Sequence, residues 1–303
     1  MTATLREQKE FYRDNHMDID AISGAATVAL TSTILFLIVA KSWSILSRNV
    51  SSTPNFADSI MPEAAQRFRD ELDRLSSSQA IYLSGALVFL LLFVSAYILQ
   101  AQDLFAGYPS WQLWLQIAFL TLAAGFAAWR LGCTILARRQ VKFVRDANVA
   151  IGHQLQQISA GVNRVYHDVV TSAGVVDHVL VGQTGIYAVN VVARRGSKNG
   201  NAVLDSNELH FSNSDKLASV IEITASGARL EKEICQLLGH KIRVRSVIAV
   251  PGWDIGEQAS ERHLLVNERT IAMLRGWKDQ SDYLMNEDVD LLQKELTARC
   301  RRK

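Results

Sequence analysis

Cysteine and proline are scarce in this chain, with three of the first and four of the second among 303 residues. Cys133, Cys235 and Cys300 lie far apart and in no metal-ligand spacing, which excludes a disulfide framework and fits a reducing compartment. Net charge is scarce as well: 32 basic and 30 acidic residues leave +2 at pH 7, too little to announce a nucleic-acid or acidic partner by charge alone. The glycines form no phosphate-cradling loop between a strand and a helix, so there is no signal for a nucleotide. No Ser-His-Asp set or Cys-His pair can be argued from spacing. Long apolar runs, by contrast, are plentiful, and charge is nearly absent from three windows at 21–40, 80–99 and 113–136.

Each window has the length of about 20 residues that a helix needs to cross the hydrocarbon core. The second holds Ala86-Leu87-Val88-Phe89-Leu90-Leu91-Leu92-Phe93-Val94 without a charge, and the third is interrupted only by Arg130, whose long stem can carry its guanidinium to the headgroups. The first is richer in hydroxyls, which can bond back to helix carbonyls or face a neighbouring helix. Core helices of soluble proteins rarely stay apolar on all faces for so long. The leader before the first window is long, mixed in charge and lacks a small-x-small cleavage site, unlike a signal peptide. Basic residues set the expected orientation. The connection from Gln100 to Gln112 has no Lys or Arg, whereas Arg138, Arg139, Lys142 and Arg145 come directly after the third window. The chain is therefore expected to be multi-pass, with residues 1–137 forming a membrane region and 138–303 a cytoplasmic domain. A polar helix at about 60–76, with Asp58 or Ser59 as cap and Pro62 in its first turn, is expected between the first two spans.

Beyond Arg138 the pattern changes. A polar helix over 138–160 leads into β-branched runs at Arg164–Val169, Val175–Val181 and Gly185–Val192. Two weak strands flank a turn at Asp205-Ser206-Asn207. A helix at Glu222–Leu238 stops at Gly239, a strand runs from Ile242 to Val250 before Pro251-Gly252, and a short strand at Leu264–Val266 precedes helices near 268–275 and 287–299. This order predicts an α/β sandwich around a small mixed sheet.

Val165-Tyr166-His167-Asp168-Val169, Val175-Val176-Asp177-His178-Val179-Leu180-Val181-Gly182 and Gly185-Ile186-Tyr187-Ala188-Val189 together resemble the nuclease-related domain (NERD). Val247-Ile248-Ala249-Val250-Pro251-Gly252-Trp253 looks like the strand and turn of that family's membrane-anchored members, and Ala150-Ile151-Gly152-His153-Gln154-Leu155 is similar to its first helix. The resemblance implies a restriction-endonuclease-like core and a bacterial inner membrane. In active members an Asp and a Glu-x-Lys on adjacent strands form the centre: two carboxylates hold a divalent cation against the scissile phosphate, and the ammonium positions water.

On this sequence Asp177 matches the Asp, but the Glu-x-Lys falls on Asn190-Val191-Val192 and the Glu of the first helix on Asn148. The family's later Gln falls near Ile223 or Thr224. An amide keeps the shape of a carboxylate and loses its charge. A valine in place of lysine removes the polar group. The expectation is a pseudo-nuclease with vestigial positions Asp177, Asn190, Val192 and Asn148, with no catalytic residue, no metal and no cofactor, Mg²⁺ on Asp177 applying only if the site were rearranged into a working nuclease. A structural membrane subunit is the other alternative. Arg194 and Arg195 match basic residues common beyond the third strand in that family, and with Lys198 they are the candidate nucleic-acid contacts. The expected partners are the lipid bilayer and a nucleic acid or membrane protein. His167, Asp168 and His178 lack a third partner at ligand spacing, so the histidines are expected to be structural.

Overall fold

The computed structural model describes residues 29–42, 63–98, 110–159, 163–183, 185–195, 200–205, 208–212, 214–258, 262–275 and 283–300. The leader, the Asp58–Pro62 cap, residues 100–109 of the connection between the second and third windows, Ser206-Asn207 and Lys198 lie outside them. The chain divides into two compact units, one of Met1–Ser52 with Asp73–Arg139 and the other of Thr53–Leu72 with Gln140–Lys303.

The first unit is helical. It contains α1 (Ala29–Ser42), most of α2 (Gln66–Ile98) and the first part of α3 (Ser110–Ser159). The helix expected at 60–76 and the apolar window at 80–99 are one element. Ser76-Ser77-Ser78 does not break it, because Ser77 Oγ and Ser78 Oγ donate to the carbonyls of Asp73 and Arg74 one turn back, at 2.9 and 3.0 Å. Similarly α3 does not stop at Arg138, since no Gly or Pro occurs between Cys133 and Ile151. Gly85 brings α1 and α2 together: a Cβ there would lie 2.7 Å from Leu37 Cδ2. Among the described residues one helix, over Gln66–Ser95, is long and apolar enough to cross a membrane.

The second unit is an α/β domain with two mixed sheets. Its strands are β1 (Arg164–Thr171), β2 (Gly174–Gly182), β3 (Gly185–Val191), β4 (Asn201–Asp205), β5 (Glu208–Phe211), β6 (Ser214–Ser219), β7 (Val244–Ala249), β8 (Asp254–Gln258) and β9 (His263–Val266). The larger sheet has the order β1-β2-β3-β7-β9, antiparallel from β1 to β3 and parallel from β3 to β9. Its central strands are almost wholly buried, as their unbroken Val/Ile/Ala runs require. The smaller sheet, β6-β5-β4-β8, includes two strands that the sequence pattern does not announce, β6 and β8.

Helices α4 (Val220–Leu238) and α5 (Asn286–Cys300) cover one face of the larger sheet, where Leu230, Ile234, Leu292 and Leu296 pack on Val179, Val181, Ile186 and Ala188. Ile151 and Leu155 of α3 cover the other face with Tyr187, Val189 and Val247. Trp253, Phe211, Leu204 and Ile248 join the two sheets. Gly239 ends α4 in the left-handed region (φ 74°) and donates to the Cys235 carbonyl, as its position past the last periodic residue predicts. The segment near 268–275 is shorter than expected, a 3₁₀ turn at Ile271–Arg275.

Glu233 of α4 ties the β1–β2 turn to both helices. It accepts from Ser172 N and Ser172 Oγ at 3.2 and 2.7 Å, and pairs with Arg229 and Arg299. Burial pushes its carboxyl up, but the Ser172 hydrogen bonds and Arg299 outweigh that and hold it at about 2. Replacing Glu233 by Ala removes these contacts, whose exposed donors turn to water, and is expected to cost about 1 kcal/mol, read as a lower urea midpoint at unchanged slope.

Candidate functional site

Asp177 and Asn190 lie on neighbouring strands, and Asp177 faces the first turn of α2. Asp177 lies near the start of β2, and its Oδ2 accepts the Val191 main-chain N–H of β3 at 2.7 Å. The next pair along the ladder is His178 opposite Val189, so Asp177 and Asn190 are cross-strand neighbours.

The charge that balances Asp177 comes from a distant part of the sequence. The guanidinium of Arg67, in the first turn of α2, forms an ion pair with Asp177 Oδ1 through Nη2. Its Nε lies 3.3 Å from Asp168 Oδ1, close enough for charge attraction though not aligned as a hydrogen bond. The Arg67 main-chain N–H donates to Asp168 Oδ2 at 3.2 Å, so Asp168 serves the exposed N–H groups of the α2 N-terminus as a capping residue would. Asp168 adopts a left-handed backbone (φ 52°), tolerated by Asp better than by most residues, within β1. Arg67 also covers the Phe68 ring, its Cζ 4.4 Å from the centroid. Nothing in the sequence around Asp177 announces this partner, because a contact between residues 110 positions apart leaves no local spacing to read.

Asn190, on β3, is buried and turned toward α4, where its Oδ1 accepts from Ser226 Oγ at 3.3 Å while its Nδ2 has no partner. Gly227 lets α4 approach β3 closely: a Cβ there would lie 3.2 Å from Ala188 Cβ. Val192, directly after β3, donates its N–H to the Ala249 carbonyl at 2.8 Å and packs its side chain with the cluster between the sheets. Asn148 donates to the Val144 carbonyl within α3. Asp177 and the β3 backbone are therefore brought together, while the side chains of Asn190, Val192 and Asn148 are each engaged elsewhere.

A divalent cation needs several oxygen ligands with free lone pairs. Here the oxygens of Asp177 are taken by Arg67 and Val191, those of Asp168 by Arg67, and the one amide oxygen of Asn190 by Ser226. Among the described residues no group of three or more His, Cys, Asp and Glu could hold a metal. The donor set does not fit the ion that the family's chemistry uses.

Beside the carboxylates lies a buried histidine pair. His167 Nδ1 and His178 Nδ1 are 2.8 Å apart, with the rings edge to face, so one Nδ1 must carry a proton and the other must not. Gln156 reaches His167 Nε2 at 3.2 Å. His178 Nε2 is buried without a partner of good geometry, although the Asn148 backbone is near enough to favour its protonated form slightly. Gly152 gives α3 its close approach: a Cβ there would lie 3.3 Å from His178 Cε1. Burial lowers His167 to about 4 and His178 well below the ordinary value, so both rings are neutral at pH 7. They serve as structural hydrogen-bonding groups. Cys300, whose thiol burial pushes up to about 12, is no nucleophile at that pH.

The basic residues after β3 are divided. Arg194 lies over Phe211 with its Cζ 4.6 Å from the ring centroid, and its carbonyl accepts the Trp253 indole N–H at 2.9 Å. Arg195 is exposed, with its guanidinium 5.5 Å from the Phe143 ring.

A five-stranded mixed sheet with helices on both faces, and an Asp on its second strand beside the backbone of the third, makes this an α/β domain with a buried carboxylate at its sheet. Residues 145–251 match the family model described as the nuclease-related domain. No curated protein and no solved structure matches the chain.

The titrations have opposite signs. Burial raises the Asp177 carboxyl to about 6, against the opposing pull of Arg67 and the Val191 N–H, so its contribution is present at low pH and lost as pH rises through about 6. The histidines, lowered by burial, contribute stability above pH 6.5 that is lost as pH falls toward 4. Asp177 therefore offsets part of the acid lability of the pair. In Asp177→Asn the stability is expected to fall more steeply with acidification, by about one proton near pH 5, or about 1.4 kcal/mol per pH unit. Urea midpoints from pH 7 to 4.5 read this directly; parallel profiles for variant and wild type would contradict it.

Proposed function

We propose that the chain is a membrane-anchored pseudo-nuclease whose NERD domain, on the cytoplasmic face of the bacterial inner membrane, binds nucleic acid without cleaving it. The observation that carries this reading is the Arg67 guanidinium on Asp177 and Asp168. A fixed organic cation occupies the charge position that phosphodiester hydrolysis assigns to a metal ion, and a guanidinium held by two carboxylates supplies neither a Lewis acid nor an activated water. Asn190 and Val192 stand where the family's Glu and Lys would be, so this chain provides neither the second carboxylate nor the ammonium. What remains on the domain for a phosphate backbone is its exposed basic side chains, of which Arg195 is one.

Membrane anchoring draws support from apolar side chains that have no protein cover within their unit. Leu83, Leu87, Leu90 and Leu91 of α2 are exposed, as are Leu115, Leu122, Phe126 and Trp129 of α3 and Leu35, Ile38 and Val39 of α1. Such continuous apolar surface suits lipid and is poorly suited to water. The basic cluster at Arg138, Arg139, Lys142 and Arg145 favours a cytoplasmic position for the α/β domain beyond it.

The test uses the full-length chain in detergent or nanodiscs, because Arg67 precedes the domain in sequence. Labelled single- and double-stranded DNA with Mg²⁺ or Mn²⁺ is expected to show no cleavage above that of Asp177→Ala run alongside. Cleavage that requires Asp177 would overturn the reading in favour of a rearranged nuclease. Binding is expected to weaken steeply with salt, and Arg195→Ala to reduce the log–log salt slope by about one. A flat or absent response would instead make the domain a platform in a membrane assembly.

A further inference from the structure

Arg67 is placed as a metal ion would be, and it differs from a metal ion in ways that matter. Two carboxylates from different strands, Asp168 of β1 and Asp177 of β2, converge on its guanidinium. The second oxygen of each is already committed to a main-chain N–H, that of Val191 for Asp177 and that of Arg67 itself for Asp168. The guanidinium is further fixed by its contact with the Phe68 ring. A guanidinium does not lose its proton, and being part of the chain it cannot diffuse away. A free cation would have to displace a tethered competitor whose local concentration is very high.

We propose that Arg67 is an autoinhibitory side chain, a built-in substitute for a hard divalent cation that neutralises Asp168 and Asp177 and excludes such ions from the pair. The proposal rests on the reading of the domain as a pseudo-nuclease and adds a cause to it: the site is closed from within by a residue outside the 145–251 domain, in addition to having lost its Glu-x-Lys. Opening it therefore requires removal of Arg67, even with Asn190 and Val192 left as they are. Without the guanidinium two buried carboxylates face each other, and such a pair either takes up a proton or recruits a cation.

The experiment compares the full-length wild type with Arg67→Ala, Arg67→Lys and Arg67→Ala/Asp177→Asn. Mn²⁺ is the probe, read by the electron paramagnetic resonance of the free ion and by the thermal midpoint with Mn²⁺ or with chelator. Wild type is expected to show no Mn²⁺-dependent change in midpoint. Arg67→Ala is expected to have a lower midpoint in chelator, to recover part of it in millimolar Mn²⁺, and to bind the ion at least about tenfold more tightly than wild type, with both responses lost in the double variant. A folded Arg67→Ala that ignores Mn²⁺ overturns the proposal, as does a wild type that binds as tightly as the variant. If Arg67→Ala does not fold, Arg67→Lys decides in its place. One ammonium cannot serve both carboxylates as the fork does, so tighter Mn²⁺ binding than wild type supports the proposal and its absence overturns it. DNA cleavage by wild type would sink the pseudo-nuclease reading, whereas a silent Arg67→Ala sinks only the role given to Arg67.

Discussion

A carboxylate removed from water must be given a countercharge, a proton or several hydrogen bonds, and the region around β1 and β2 is organised by that requirement. Asp177 is nine-tenths buried at its side chain and Asp168 nearly so. In a hydrolytic centre the same demand is met by a metal ion, and the strain of crowding two carboxylates becomes useful because the ion is also the catalyst. Here the demand is met by Arg67 and two main-chain N–H groups. These partners offset only part of the cost of burial, since the Asp177 carboxyl stays raised to about 6.

The same constraint explains the neighbours. With the pair held by a fixed group, the neighbouring side chains are mostly engaged with partners other than the two carboxylates. Val192 joins the apolar cluster between the sheets, Asn190 turns to Ser226 of α4, and the His167–His178 pair is packed so tightly by Gly152 that both rings stay neutral. Asn190 Nδ2, His178 Nε2 and Arg67 Nε are among the buried polar atoms left without a well-aligned partner in that region.

Long-range structure also settles where elements end. Ser76-Ser77-Ser78 and Arg138-Arg139 look like boundaries in composition, because they separate charged from apolar stretches. Helices respond to backbone satisfaction, and with hydroxyls bonding back one turn and no Gly or Pro to stop them, α2 and α3 run through both changes. A change of solvent preference along a helix is a statement about its surroundings and leaves its hydrogen bonding intact.

The strands β1 to β3, β7 and β9, the helices α4 and α5, the Gly239 stop and the alignment of Asp177 with Asn190 were legible in the sequence, since each rests on local periodicity, on turn chemistry or on a pattern shared with the nuclease-related domain. The strands β6 and β8 were not, because they are short, lie in the smaller sheet and depend on pairing for their definition. Loss of the Glu-x-Lys was a property of composition at two positions, readable without coordinates. The counterion of Asp177 was decided by tertiary structure alone. Arg67 and Asp177 are 110 residues apart, and no spacing rule connects a basic residue at the start of one helix to an acid on a strand. Only folding, which brings the α2 N-terminus over the bend at Asp168, makes the one the counterion of the other.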